Sequence, residues 1–199
     1  MTENNFQVRL ATAYPGAQPV QSSKGTTLKA EISTDQGRKD AFVKLISIDD
    51  IAREALCAVL ARKLQLPMLQ PYYVHVDPSV LGDYRAGNIH DIAFGLEAEE
   101  APTFRVIHQL TEEEISGWSD VLRVAVFDEW IYNRDRIPTN LIFTGKGRFR
   151  LIDHDEALPN YASPDACSNA QLLQHLARNK SEIELHQMRR KAFESIEEY

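Results

Sequence analysis

Three oxygen-bearing side chains, Asp135, Asn140 and Asp153, stand in the run NRDRIPTNLIFTGKGRFRLIDHDE at positions 133–156. Asp135 and Asn140 lie five residues apart in D-R-I-P-T-N, and Asp153 follows the apolar F-R-L-I. Phosphoryl transfer from a nucleotide asks for such a set. One carboxylate orients or deprotonates the attacking hydroxyl, while an amide oxygen and a second carboxylate hold Mg2+ against the phosphates. Because Mg2+ keeps several of its waters, few protein oxygens are needed. The plain alternative is that Asp-Arg and Pro-Thr-Asn only build turns, which these residue types favour.

Lys44 and Glu54 weigh against that alternative. Lys44 sits among apolar neighbours in A-F-V-K-L-I and can supply a cation to the phosphates. Glu54 shares a helix face with Ile51, Ala58 and Ala61, an apolar and inward face from which a carboxylate can meet the lysine. A strand lysine paired with a helix glutamate is an arrangement that phosphate-transferring enzymes use. Upstream, YPGAQPVQSSKG carries Gly16, Ala17, Gln18, Ser22 and Ser23 between two strands, and is expected to lie over the phosphates.

The elements that must hold these residues follow from periodicity and punctuation. Residues 141–143 and 149–152 flank Gly145-Lys-Gly147 and predict a β-hairpin with the polar groups at its ends. Before it, DVLRVAVFDEWIYN is apolar on most of its circumference and predicts a buried helix ending ahead of Asp135. Asp128 inside that helix is expected to brace the loop that follows. Arg134 and Arg136 are expected to neutralise local acids, touch phosphate or pair at the surface. Strands are predicted at 6–12, 27–33, 41–46 and 72–76, and a helix from a capping box at Ser47 to Pro67. The stretch 77–101, with weak periodicity, reads as a connector between lobes. Two closing helices are predicted at 168–177 and 181–198.

Bulk properties narrow the partners. A chain of 199 residues, 43% hydrophobic and 26% charged, suits one domain or two small lobes with a real core. Net charge is −7, and no basic run exceeds Arg189-Arg-Lys191, so neither a broad nucleic-acid surface nor a polybasic membrane dock is expected. Cys57 and Cys167 show no metal-ligand spacing and no disulfide framework. The opening MTENNFQVRL lacks the pattern of a signal peptide, and no stretch approaches the ~20 apolar residues of a membrane span. A cytoplasmic protein is the expectation.

The stretch F-D-E-W-I-Y-N-R-D-R-I-P-T-N-L-I, then L-I-D-H, resembles the HipA-like kinases, which share a catalytic core with phosphoinositide kinases and, more distantly, eukaryotic protein kinases. K-L-I with R-E-A-L-C-A-V-L-A-R-K-L-Q-L-P, and F-G-L-E at 94–97, are similar to that family's lysine strand, acidic helix and lobe connector. The similarity runs from about residue 6 to 158 and is most specific at 135–140 and 152–153. It implies an α+β, two-lobed protein-kinase-like fold. An N-lobe at 1–96 would hold a small antiparallel sheet and a helix, and a C-lobe at 97–199 would be mostly helical.

By the same resemblance Asp135 is the catalytic acid or base, and Asn140 and Asp153 are Mg2+ ligands. Lys44 contacts the α- and β-phosphates of ATP with Glu54 positioning it, and the backbone around Phe94 to Glu97 meets the adenine. Ser22 or Ser23 corresponds to a serine that is autophosphorylated in some relatives. The acceptor implied is a Ser or Thr hydroxyl of a protein, with a cognate inhibitor or regulatory partner as in toxin–antitoxin systems. Two departures stand out: Ile137 replaces a usual His, and Asp155 replaces a usual Gly. With the short stretch after Asp153, they motivate a rival reading, a pseudokinase-like protein-binding module. A second rival takes His154-Asp155 with His90, Asp91, His108 and His175 as a phosphohydrolase metal set.

Overall fold

Alternation of apolar and polar residues builds the first part of the chain, which is seen in a computed structural model. The structure describes residues 6–20, 26–77, 91–99, 117–136, 140–145, 148–159, 172 and 176–197. Strand β1 is Arg9–Ala13, β2 Gln18–Val20, β3 Thr26–Thr34 and β4 Gly37–Leu45. On β3 the residues Leu28, Ala30 and Ile32 are buried, and on β4 Ala41 and Val43, every second position as a pleated strand requires. Helix α1, Ile48–Lys63, follows. Strands β5, Pro71–His75, and β6, Ile92–Glu97, complete this part.

Pairing makes these strands a barrel. β1 runs antiparallel to β3, with Ala11 opposite Thr34, and parallel to β5, with Arg9 opposite Tyr72. β5 pairs antiparallel with β6, β6 with β4, and β4 with β3. The circuit β1-β5-β6-β4-β3 returns to β1, and β2 lies beside β3. So tight a barrel has room only for small side chains among a few large ones: Ala11, Ala13, Ala30, Ala41 and Ala93 line it with Leu28, Ile32, Val43, Tyr72, Val74 and Val76. Gly95 shows how tight the packing is, because a Cβ there would sit 2.6 Å from Val74 Cγ2.

This architecture overturns the expected two-lobed kinase-like fold with a small antiparallel sheet and a mostly helical C-terminal lobe. The barrel is closed and contains a parallel pair, and the described residues hold eight strands against three helices. The cause is β6. Residues 77–101 were expected to connect lobes, yet I-A-F-G-L-E is an interior strand bonded to both β4 and β5. Four successive residues of it, Ala93 to Leu96, are buried, which erases the alternation that marks a half-exposed strand.

After β6 come helix α2, Val121–Trp130, the hairpin strands β7, Leu141–Gly145, and β8, Arg148–Leu151, and helix α3, Glu182–Glu197. The hairpin falls where the sequence predicts it, although residues 146–147 of its turn lie outside the described residues. The predicted helix at 168–177 and Cys167 also fall largely or wholly outside them. Phe149 anchors the hairpin, with Phe143 at 5.1 Å and Trp118 at 4.5 Å between ring centroids. Helix α2 packs against α3.

The chain groups into two compact units, Met1–Leu60 with Leu69–Glu100, and Ala61–Met68 with Ala101–Tyr199. The division falls inside α1. At its end the Leu66 N–H bonds the Ala61 carbonyl and the Gln65 N–H the Arg62 carbonyl, with Gln65 at φ 56°, a Schellman stop reached just before Pro67. No helix among the described residues is long and apolar enough to cross a membrane.

Candidate functional site

In the first unit the start of α1 is fixed by Ser47, whose Oγ accepts from the Asp50 N–H at 3.2 Å and donates to Asp50 Oδ2 at 2.7 Å. That cap sets the rotation of the helix, so Glu54 joins Ile51, Ala55 and Ala58 on the buried face. Lys44 on β4 reaches across to it: Nζ donates to Glu54 Oε1 at 2.5 Å. The Glu54 side chain is fully buried and that of Lys44 is 17% exposed. A carboxylate so deep is tolerable only beside a cation.

The other residues expected around a nucleotide are spread over the barrel. Gly16, exposed at φ 101°, turns the chain between β1 and β2, a conformation that favours glycine. Ala17 packs on the barrel core, and Gln18 opens β2 opposite Lys29. Ser22 and Ser23 lie outside the described residues. Glu97 closes β6; its N–H donates to the Gln70 carbonyl, and its carboxylate takes the Lys39 ammonium at 3.0 Å and the Tyr72 hydroxyl at 2.9 Å. Burial first, and then donation to Glu97, push the Tyr72 phenol well above its ordinary value.

In the second unit α2 ends without glycine. The Tyr132 N–H bonds the Glu129 carbonyl and the Asn133 N–H the Asp128 carbonyl, with Tyr132 in the left-handed region at φ 55°. This turn delivers Asn133, Asp135 and Arg136. The Asp135 N–H donates to Asn133 Oδ1 at 3.2 Å, and Asn140 Nδ2 donates to the Asp135 carbonyl at 2.5 Å. Asp135 and Asn140 are therefore brought together. Asp153 stands two residues past β8 at φ 64°, a conformation Asp tolerates better than most residue types. Asp135 and Asp153 are both partly exposed, while Asn140 is buried. Ile137 lies outside the described residues.

Beneath these groups is a fully buried ion pair. Asp128 on α2 takes Arg136 Nε at 2.8 Å and Nη2 at 2.9 Å, and also Asn133 Nδ2 at 3.0 Å. Arg136 Nη1 donates to the carbonyls of Asn140 and Ile152, and Nη2 to His154 Nε2 at 2.8 Å. A guanidinium only donates, so the imidazole nitrogen accepts. Arg136 is therefore no surface residue, and Asp128 braces the loop through the side chains of Asn133 and Arg136. Arg134, by contrast, is exposed and stacks on the Tyr132 ring.

The sequence singles out Asp135, Asn140, Asp153, Lys44 and Glu54 and offers Arg136 as a neutraliser of local acids, but it does not point to the joint contacts of Arg136, Asn133 and His154. The available signal was Asp128: a carboxylate between Phe127 and the other buried residues of α2 must find a cation. The phosphohydrolase metal set gains nothing, because His154 is engaged with Arg136 while His90, His108 and His175 lie outside the described residues. Among the described residues no group of three or more His, Cys, Asp or Glu could hold a metal ion. The donors at issue are one amide and one carboxylate, a hard all-oxygen pair.

Comparison with known proteins adds one result. A family model described as HipA-like kinase matches residues 39–197. No curated protein matches the chain.

Proposed function

Because the chain belongs to the HipA-like kinase family, we propose that it transfers the γ-phosphoryl group of ATP, with Mg2+, to a Ser or Thr hydroxyl of a protein. Lys44 is assigned to the α- and β-phosphates, and Glu54 aims it. Asp135 orients or deprotonates the attacking hydroxyl, and Asn140 and Asp153 hold the cation. The segment from Gly16 to Ser23 covers the phosphates, and the end of β6 at Glu97 faces the adenine. When bound, Mg2+ neutralises charge on the phosphates. The chain's own part is to orient and to exclude water, with no covalent intermediate.

The observation that carries this reading is the pair Lys44–Glu54, a partly exposed ammonium held by a fully buried carboxylate. A buried ion pair is a poor device for stability. It is a good device for fixing a charge where a ligand needs it. In the second unit, donation from Asn140 Nδ2 to the Asp135 carbonyl orients the amide so that its oxygen is the ligating end. Asp153 adds the carboxylate, and this oxygen pair fits Mg2+.

Incubation of the full chain with γ-labelled ATP and Mg2+, read by intact mass and phosphosite mapping with attention to Ser22 and Ser23, tests it. Label is expected on the wild-type protein or an added protein substrate, and none with Asp153→Ala. Nucleotide binding with no transfer under any divalent metal would instead mark a protein-binding module.

A further inference from the structure

The Arg136 guanidinium carries five N–H groups, and the structure supplies an acceptor for each. Two go to the Asp128 carboxylate and one to His154 Nε2. The remaining two, both on Nη1, go to backbone carbonyls: Asn140 at 2.9 Å, where β7 begins, and Ile152 at 2.7 Å, just past β8. These carbonyls belong to one residue assigned to the metal and to the residue immediately before the other. One nitrogen therefore ties both ends of the hairpin, and the Ile152 N–H adds a bond to the Asn140 carbonyl at 3.3 Å.

The tie is itself anchored. Asp128 holds the guanidinium in plane from the rigid side of α2, and Asn133 Nδ2 holds the carboxylate in turn. Asn133 also fixes the Asp135 N–H, so the same cluster supports the loop that carries the proposed base. All of Asp128, Asn133, Arg136 and His154 are buried, which keeps competing water from these bonds.

We propose that Arg136 is a positioning residue that sets the separation of Asn140 and Asp153 by holding the Asn140 and Ile152 carbonyls on a single nitrogen. The proposal rests on the reading of Asn140 and Asp153 as metal ligands. Lysine cannot replace the arginine here, because an ammonium is a point donor and cannot serve a carboxylate bidentately and two carbonyls at once. The effect falls on cation affinity in the presence of nucleotide, not on nucleotide affinity alone.

Mn2+ tests this, since its free form gives an electron paramagnetic resonance signal that disappears on binding. The cation is titrated into the full chain with a non-hydrolysable ATP analogue, for wild type, Arg136→Lys and Asp128→Asn. Binding of the Mn2+–analogue complex is expected to weaken about 10- to 100-fold in each folded variant, with metal-free analogue binding unchanged. Equal Mn2+ binding by wild type and a folded Arg136→Lys overturns the proposal. If Arg136→Lys does not fold by circular dichroism, Asp128→Asn carries the comparison, and failure of both to fold assigns the cluster to stability alone and also overturns it. A wild type that takes up no Mn2+–analogue complex removes instead the ligand assignment on which the proposal rests.

Discussion

Replacing Lys44 by Met removes the cation facing a fully buried Glu54 carboxylate. The gross attraction at their 2.5 Å contact is about 7 kcal/mol for an effective dielectric near 20. Desolvation of the two ions consumes most of it. What remains visible is the penalty of a buried charge stripped of its counterion, about 3–5 kcal/mol. Lys44 is 17% exposed, so water can reach the site and the lower end applies: ~3 kcal/mol is expected for Lys44→Met. Glu54→Leu leaves an ammonium that can turn toward solvent, at a cost of ~1–2 kcal/mol. The double variant, with apolar groups of similar volume, is expected within ~1 kcal/mol of wild type, a coupling of about 3–5 kcal/mol. Urea unfolding followed by far-ultraviolet circular dichroism measures all four proteins. Phosphoryl transfer is expected to be lost in each variant that lacks Lys44, including the stable double. Single-variant losses that add to the double within about 0.5 kcal/mol would refute the reasoning.

Three further outcomes are expected. Gly95→Ala places a methyl group 2.6 Å from Val74 Cγ2 inside the barrel and lowers stability by about 1–3 kcal/mol, whereas in a Val74→Ala background the same change costs much less; equal losses in both backgrounds would exclude the clash. Tyr72 keeps its proton in the folded state above its ordinary value of 10.0, so the stability it provides is complete below that pH and is lost as pH rises through and beyond it. Tyr72→Phe is expected to cost ~1 kcal/mol at neutral pH and to flatten the alkaline limb of a stability–pH curve. At the start of α3 the Ser181 hydroxyl and N–H donate to Glu184, holding its carboxyl below the ordinary 4.5; this support is present above that value and is lost as pH falls through the depressed one. Helix signal is therefore expected to drop with acid in wild type and to lose that component in Glu184→Gln.

How much of this was legible depended on whether the cause was local. The α1 start could be read because Ser47 and Asp50 are three apart and cap each other, and the hairpin could be read because its turn carries glycine between apolar runs. Glu54 was recognisable as inward because Ile51 and Ala58 share its helical face. Barrel closure was not legible, since β1 meets β5 in a parallel pairing of distant residues, Arg9 with Tyr72, that leaves no local mark. β6 was hidden for the opposite reason: its burial is so complete that its period vanished. For Arg134 and Arg136 the sequence left neutralisation of an acid and surface pairing open alike, and Arg136 takes the first by pairing with Asp128. Only the fold decides that Arg134 stays exposed and stacks on Tyr132 while Arg136 enters the core.

Holding the nucleotide and moving its phosphate are separate tasks, and the role proposed for Asp135 lies in the second alone. The most direct measurement is ATP–Mg2+ affinity beside the single-turnover transfer rate, for wild type and Asp135→Ala. Binding is expected to be near-unchanged and the transfer rate reduced about 10²- to 10⁴-fold, the usual contribution of a positioned acid or base. Undiminished transfer by Asp135→Ala would contradict that role.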